Sequence, residues 1–280
     1  MSVEHPAREV IDARGMVALP GLVNGHIHML TALYKGTMCG FGFEKTAGED
    51  MTMCAHATPG FMLAASQLSA VEMLRSGITL ANVAGDAIAF EVARQPAEAL
   101  GQAGMKAFVQ TIVADMFGLT DLSADAQLTE AETLLREYHG KFEGRIRVVP
   151  SPGEALATSL KTMRRLAALA ERENVIEHIH VFPRWTMGAF SWPVRGHSPL
   201  GLLKAGGLLN ERLMAVHFLA ATRSDIAALA RAGASVVHCP SVWMNVGIGP
   251  RHWLPVKALH RAGVNIMLGA DSYGGWIEGA

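Results

Sequence analysis

The chain has 280 residues, half of them hydrophobic, with 24 basic and 25 acidic side chains and a formal net charge of −1. Enough apolar material is present for a large core, and the near-neutral balance supplies no long-range field for nucleic acid or an anionic membrane. Three cysteines, Cys39, Cys54 and Cys239, form no C-x-x-C pair, which argues against a disulfide framework and fits a reducing compartment.

The N-terminus, Met-Ser-Val-Glu-His-Pro, lacks a basic segment followed by an apolar one, and no apolar run reaches the roughly 18 residues of a membrane span. A cytoplasmic protein is expected. Strand 1 runs from Leu19 to His28, reading Leu-Pro-Gly-Leu-Val-Asn-Gly-His-Ile-His. Side chains at i and i+2 of a strand share a face, so His26 and His28 can point at one metal ion. Imidazole nitrogen suits zinc and its first-row neighbours. Residues 29–58 show little periodicity and read as a long loop of the kind that covers a site.

A helix over 60–76 stops at Gly77, and Ile78–Val83 is the second strand. Residues 87–103 read as helical with a break near Pro96. Met105–Val113 and Arg145–Val149 are strands, separated by a helix over 124–139. A helix over 155–173 leads to the fifth strand, Val175–Val181. Residues 182–197, rich in Pro, Trp and Gly, read as a loop. A short helix over 199–209 precedes strand 6, Leu213–Phe218. A helix over 222–232, capped by Thr222 or Ser224, precedes strand 7, Ala234–Cys239. A helix over 252–262 precedes strand 8, Val264–Gly269.

Eight apolar strands alternating with helices predict a parallel α/β fold, and the count of eight selects a (β/α)8 TIM barrel. The chain ends nine residues past Asp271, which leaves no room for an eighth helix. The expectation is a barrel truncated before that helix. In such a barrel the chemistry sits at the C-terminal ends of the strands. Those ends carry His26 and His28, then His178 and His180, His217, His238 and Asp271. Strands 2, 3 and 4 end without a lysine. The remaining histidines, including His56, His139, His197 and His260, fall in helices and loops and read as surface residues.

With these positions in view, the sequence resembles the amidohydrolase superfamily, in particular its cytosine deaminase and triazine chlorohydrolase-like branch. The resemblance rests on Pro20-Gly21-Leu22-Val23-Asn24-Gly25-His26-Ile27-His28, on Val237-His238-Cys239-Pro240-Ser241, and on the segment Ala262 to Asp271. It implies one divalent metal ion, zinc first and iron or another first-row metal otherwise, held by His26, His28, His180 and Asp271. Binuclear members use a carboxylated lysine on strand 4; its lack here favours a single ion. The implied activity is hydrolysis of a carbon–nitrogen bond other than a peptide bond. A metal-activated water would displace ammonia, an amine or halide from a small N-heterocycle, with Asp271 taking the proton and His217 assisting. The implied partner is that small molecule, not nucleic acid or membrane, and homo-oligomerisation stays open.

Two departures accompany the resemblance. Deaminases of the branch carry a Glu three residues after the strand-5 histidine, and here that position is Pro183. The usual Asp-Gly after strand 8 is Asp271-Ser272. A substrate with a better leaving group, or another donor such as Glu44 or Glu49 from the long loop, would then be needed. Glu177 is at odd spacing from His180 and should face the helices. His238 and Trp185 are further candidates to face the substrate. The domain reading is a small β-sandwich remnant over 1–18 and the hydrolase barrel over 19–280. The alternative is a non-catalytic metal-binding relative or an inactive fragment. The nucleobase-editing zinc deaminases need H-x-E and P-C-x-x-C, and neither motif occurs.

Overall fold

The strands are short apolar runs, and the two middle ones that carry histidines are buried along most of their length: Glu177–Val181 and Leu213–His217. Burial on both faces is the signature of a parallel sheet covered by helices. A computed structural model describes residues 9–37, 40, 43–116, 120–181, 197–219, 221–247 and 254–272. Its strands are β1 (Leu22–Ile27), β2 (Ile78–Val83), β3 (Lys106–Ile112), β4 (Ile146–Ser151), β5 (Glu177–Val181), β6 (Leu213–His217), β7 (Ser235–His238) and β8 (Asn265–Leu268).

They form two four-stranded sheets in sequence order, β1-β2-β3-β4 and β5-β6-β7-β8, with every pairing parallel. Each sheet has its own apolar cluster. One joins Ile27, Val83, Val109 and Val148 to Leu100 and Leu134 of the helices, and the other joins Ile179, Ala215 and Val236 to Leu203, Leu229 and Leu259. The result is a TIM-barrel-like α/β fold.

The two sheets meet at their C-terminal ends. Between β4 and β5, Glu154 and His180 form an isolated parallel bridge, and His180 N–H donates to Gly153 O at 2.8 Å. Ser151 Oγ and Gln110 Nε2 both donate to the His178 carbonyl, at 2.7 and 2.6 Å. Between β8 and β1, Ile27 bridges Asp271, Asp271 N–H donates to His26 O at 2.9 Å, and His28 N–H donates to Asp271 O at 3.1 Å. Asn24 Oδ1 accepts from Ala270 N–H at 3.1 Å. The bridges between the two sheets therefore lie where the histidines are.

Helix starts follow their side-chain caps. Thr58, Ser123, Ser159 and Ser198 each accept from a backbone N–H of the first turn. Thr222, not Ser224, caps the Arg223–Ala232 helix, in a capping box with Asp225. Left-handed Gly207 and Gly233 end two helices. The break expected near Pro96 falls one residue before Gln95, between Phe90–Ala93 and Gln95–Gln102, and Pro96 opens the second piece.

Residues 29–58 correct the expected loop. Met29–Tyr34 is a 3-10 helix and Phe43–His56 an α-helix. The apolar positions of the second are too few to show a period in sequence. A further short helix, Pro240–Asn245, starts at the proline directly after β7 and was not expected. Residues 9–21 form no strand and expose Val10, Ile11, Met16, Val17 and Leu19. The segment after Ser272, on which the expected lack of an eighth helix bears, lies outside the described residues. Among the described residues, no helix is long and apolar enough to cross a membrane.

Candidate metal centre

Strand alternation puts His26 inside, and the chain leaves β1 in an extended conformation at His28, so both rings turn to the same side. From the second sheet β5 brings His178 and His180 by the same i, i+2 logic. His26 Nδ1 and His178 Nε2 are 2.9 Å apart, and His28 Nε2 and His180 Nε2 are 3.2 Å apart. Asp271 Oδ1 lies 3.7 Å from His26 Nε2 and 3.8 Å from His28 Nε2. Its other oxygen, Oδ2, lies 3.4 Å from His217 Nε2.

The tautomers follow from the partners. A carbonyl only accepts, so the 2.9 Å contact of His180 Nδ1 with Gly153 O places the ring proton on Nδ1. Asp86 does the same for His28, with Oδ1 at 2.6 Å from Nδ1, while its Oδ2 accepts from Leu30 N–H at 3.3 Å. His28 and His180 therefore face each other through Nε2, and the His180 atom presents a lone pair. Burial pushes the His180 pKa down to about 4, and pushes His26, His178 and His217 well below the ordinary histidine value. A metal cation would satisfy the arrangement. His26 Nε2, fully buried, has no hydrogen-bond partner among the described residues. Two groups with metal-ligand spacing, His26–His180–His217 and His26–His28–Asp271, have all their ligand atoms within 4.8 Å of one another. The donor set, imidazole nitrogen plus one carboxylate, fits a first-row divalent ion.

Backbone strain concentrates here. His217, Phe218 and Asp271 all have positive φ, at 74°, 44° and 66°. Non-glycine residues in the left-handed region cost of order 1–3 kcal/mol each and persist where the surroundings impose them. Phe218 N–H donates to Val181 O at 3.1 Å, pinning the turn to β5. The Trp243 ring, 2 % exposed, packs edge-to-face on His217 with centroids 4.8 Å apart.

The structure thus gathers His26, His28, His180, His217 and Asp271. It adds His178 and Asp86, to which sequence reasoning gave no role. His238 ends β7, half-buried, with a buried Nδ1 that has no hydrogen-bond partner among the described residues, and lies outside the metal-spaced groups. Glu177 faces away as expected: its carboxylate accepts from Asn210 Nδ2 at 3.3 Å. Glu49 is exposed on a helix rather than in a loop. The Glu44 side chain, Trp185 and Pro183 lie outside the described residues. A buried carboxyl that sequence reasoning passed over is Glu154, whose Oε1 accepts from Leu156 N–H at 3.3 Å and whose pKa burial raises to about 8.

The sequence model described as Amidohydrolase family matches residues 17–279. The chain belongs to the amidohydrolase family. Among similar curated family members is the 5-methylthioadenosine/S-adenosylhomocysteine deaminase of Halobacterium salinarum, 32% identical over 264 residues, covering 94% of this chain and 59% of that protein. The 5'-deoxyadenosine deaminase of Methanothermobacter thermautotrophicus is 29% identical over 268 residues, covering 95% and 60%. The chain therefore spans about six-tenths of the length of these relatives. A zinc-bound adenosine deaminase from Xanthomonas campestris superposes with a TM-score of 0.81 at 28% identity, covering 91% of this chain and 56% of that one. A triazine hydrolase from Arthrobacter aurescens, 21% identical, shares the fold with a TM-score of 0.83, covering 96% and 63%.

Proposed function

We propose that the chain carries the catalytic core of a zinc-dependent hydrolase that deaminates a small N-heterocycle. The ring class we favour is the 6-aminopurine nucleoside type named for its relatives. One ion is assigned to His26, His28, His180 and Asp271, and the two sheets are read as one closed barrel over 19–280, with 1–18 outside it. The observation that carries the reading is the convergence of His28 Nε2 and His180 Nε2, 3.2 Å apart, on Asp271 Oδ1 and on a buried His26 Nε2 that has no hydrogen-bond partner among the described residues. When bound, the ion supplies Lewis acidity and a water nucleophile near neutral pH.

The chain's own groups then divide the work. Asp271 accepts the proton of the attacking water through one carboxylate oxygen. His217, neutral and fixed by Asp271 Oδ2, polarises the substituent on the attacked carbon. Asp86 and His178 hold the rings of His28 and His26 in the orientation a ligand needs. Pro183 stands where a family deaminase has its proton-shuttling Glu, so displacement of a better leaving group such as halide is the second reading. The test is ammonia release from 6-aminopurine nucleosides against halide release from chlorinated triazines, using zinc-loaded protein. Ammonia release above that of Asp271→Asn supports deamination. Halide release alone supports the second reading. Silence on every ring by a protein that still holds zinc leaves a non-catalytic metal-binding relative.

A further inference from the structure

Cys239 lies beside the same cluster of histidines and Asp271. It follows β7, is fully buried, and its thiol is pushed well above the ordinary value by burial and by Asp271. A Cβ built on Gly269 would stand 2.9 Å from Cys239 Sγ and 2.9 Å from His26 Cβ, so the bare glycine is what lets the thiol approach β1. Cys239, His217 and Asp271 form a third metal-spaced group, all three buried, with ligand atoms within 4.8 Å of one another. Cys239 belongs to neither of the other two groups. The Asp271 carboxylate is divided between the sets: Oδ1 faces His26 and His28, and Oδ2 faces His217.

We propose that Cys239 Sγ, His217 Nε2 and Asp271 Oδ2 form a second, thiophilic divalent-cation position, linked to the first through the two oxygens of Asp271. Bonds of about 2.0 Å to nitrogen and about 2.3 Å to sulfur at a tetrahedral angle put ligand atoms on one zinc ion about 3.5 Å apart, so closing this group, whose atoms lie within 4.8 Å of one another, takes at most a shift of about an ångström. Thiolate selects soft ions, which separates this position from one built on imidazole and carboxylate alone. On binding, the S–H bond breaks, a sulfur–metal bond forms, and the proton leaves to solvent; nothing is oxidised or reduced. Occupation withdraws His217 and Asp271 from the substrate, so the position is inhibitory. The binding claim stands on geometry alone, and only the inhibition rests on the proposed function.

The test uses zinc-loaded protein in a Cys39→Ser, Cys54→Ser background, titrated with cadmium. Expected are retention of the first zinc ion, uptake of one cadmium ion per chain, and an ultraviolet cadmium–thiolate charge-transfer band. Both the band and the cadmium uptake are lost in Cys239→Ser and in Cys239→Ala. Two replacements guard against one that fails to fold, and thermal melting confirms that each is native. A band that survives Cys239 replacement, or a background protein that takes up no cadmium, overturns the proposal. Where turnover is measurable, cadmium inhibits the background protein and not the Cys239 variants. Inhibition unchanged by Cys239 replacement overturns the inhibitory role, whereas absence of turnover bears on the proposed function only.

Discussion

Asp86 Oδ1 lies 2.6 Å from His28 Nδ1, and the same carboxylate accepts from Leu30 N–H through its second oxygen. It fixes both the tautomer and the tilt of a ring whose Nε2 faces the proposed ion. Asp86→Asn keeps the shape but weakens the acceptor. The expected loss of zinc affinity is about 10–100-fold, the range for outer ligand-supporting groups. Chelator competition measures it. Unchanged affinity would make Asp86 a helix-capping residue and nothing more.

His178 makes the same kind of contact with His26, at 2.9 Å, on the other side of the site. His178→Ala should weaken zinc by a similar factor, and His178→Gln, which restores a polar atom near that position, should recover part of it. Equal losses in the two variants would mean that the site needs the ring volume and not the contact.

The roles of Asp271 and His217 separate by metal content and rate. Asp271→Asn should keep some zinc and abolish turnover. His217→Ala should keep zinc and lose rate by roughly 10²–10⁴-fold, as general acid–base groups do. Atomic absorption and single-turnover assays on the same preparations decide it. Loss of zinc in His217→Ala would instead place His217 among the ligands, as its spacing to His26 and His180 allows.

Glu177 gives a pH signature unrelated to the metal. It is 1 % exposed, and burial raises its pKa from an ordinary 4.5 to about 8. Between those values the unfolded chain gives up the proton while the folded chain holds it. Stability is therefore full below pH 4.5 and falls as the pH rises toward 8, at about 1.4 kcal/mol per unit. Glu177→Gln cannot ionise. Its stability advantage over the parent in urea melts should be absent at pH 4 and grow to pH 8. A gap that does not change with pH contradicts the assignment.

Much of this arrangement was legible in the sequence because strands write it in periods of two. His26 and His28, and His178 and His180, had to share a face once β1 and β5 were recognised. Placing His217 and Asp271 needed only the rule that barrel chemistry gathers at strand ends. Asp86 was missed because it lies three residues beyond Val83, in a turn that no periodicity marks. Trp243 was missed because the short helix bearing it begins at Pro240 and is too brief to show a 3.6-residue pattern. The helix Phe43–His56 was read as loop for a related reason: its apolar stripe is weak, and Gly48 interrupts it. Partner assignments such as His28 with Asp86 join residues 58 apart in sequence and exist only once β1 and β2 pair.

A single catalytic ion is proposed to be held by residues from β1, β5 and the end of β8. Elemental analysis of the purified chain, beside a His26→Ala, His28→Ala variant that remains folded by circular dichroism, tests it most directly. The account predicts about one zinc or similar first-row ion per chain in the parent, as for a catalytic site with an open position, and essentially none in the variant. Retention of the ion by the double variant, or two tightly held ions in the untreated parent, would contradict it.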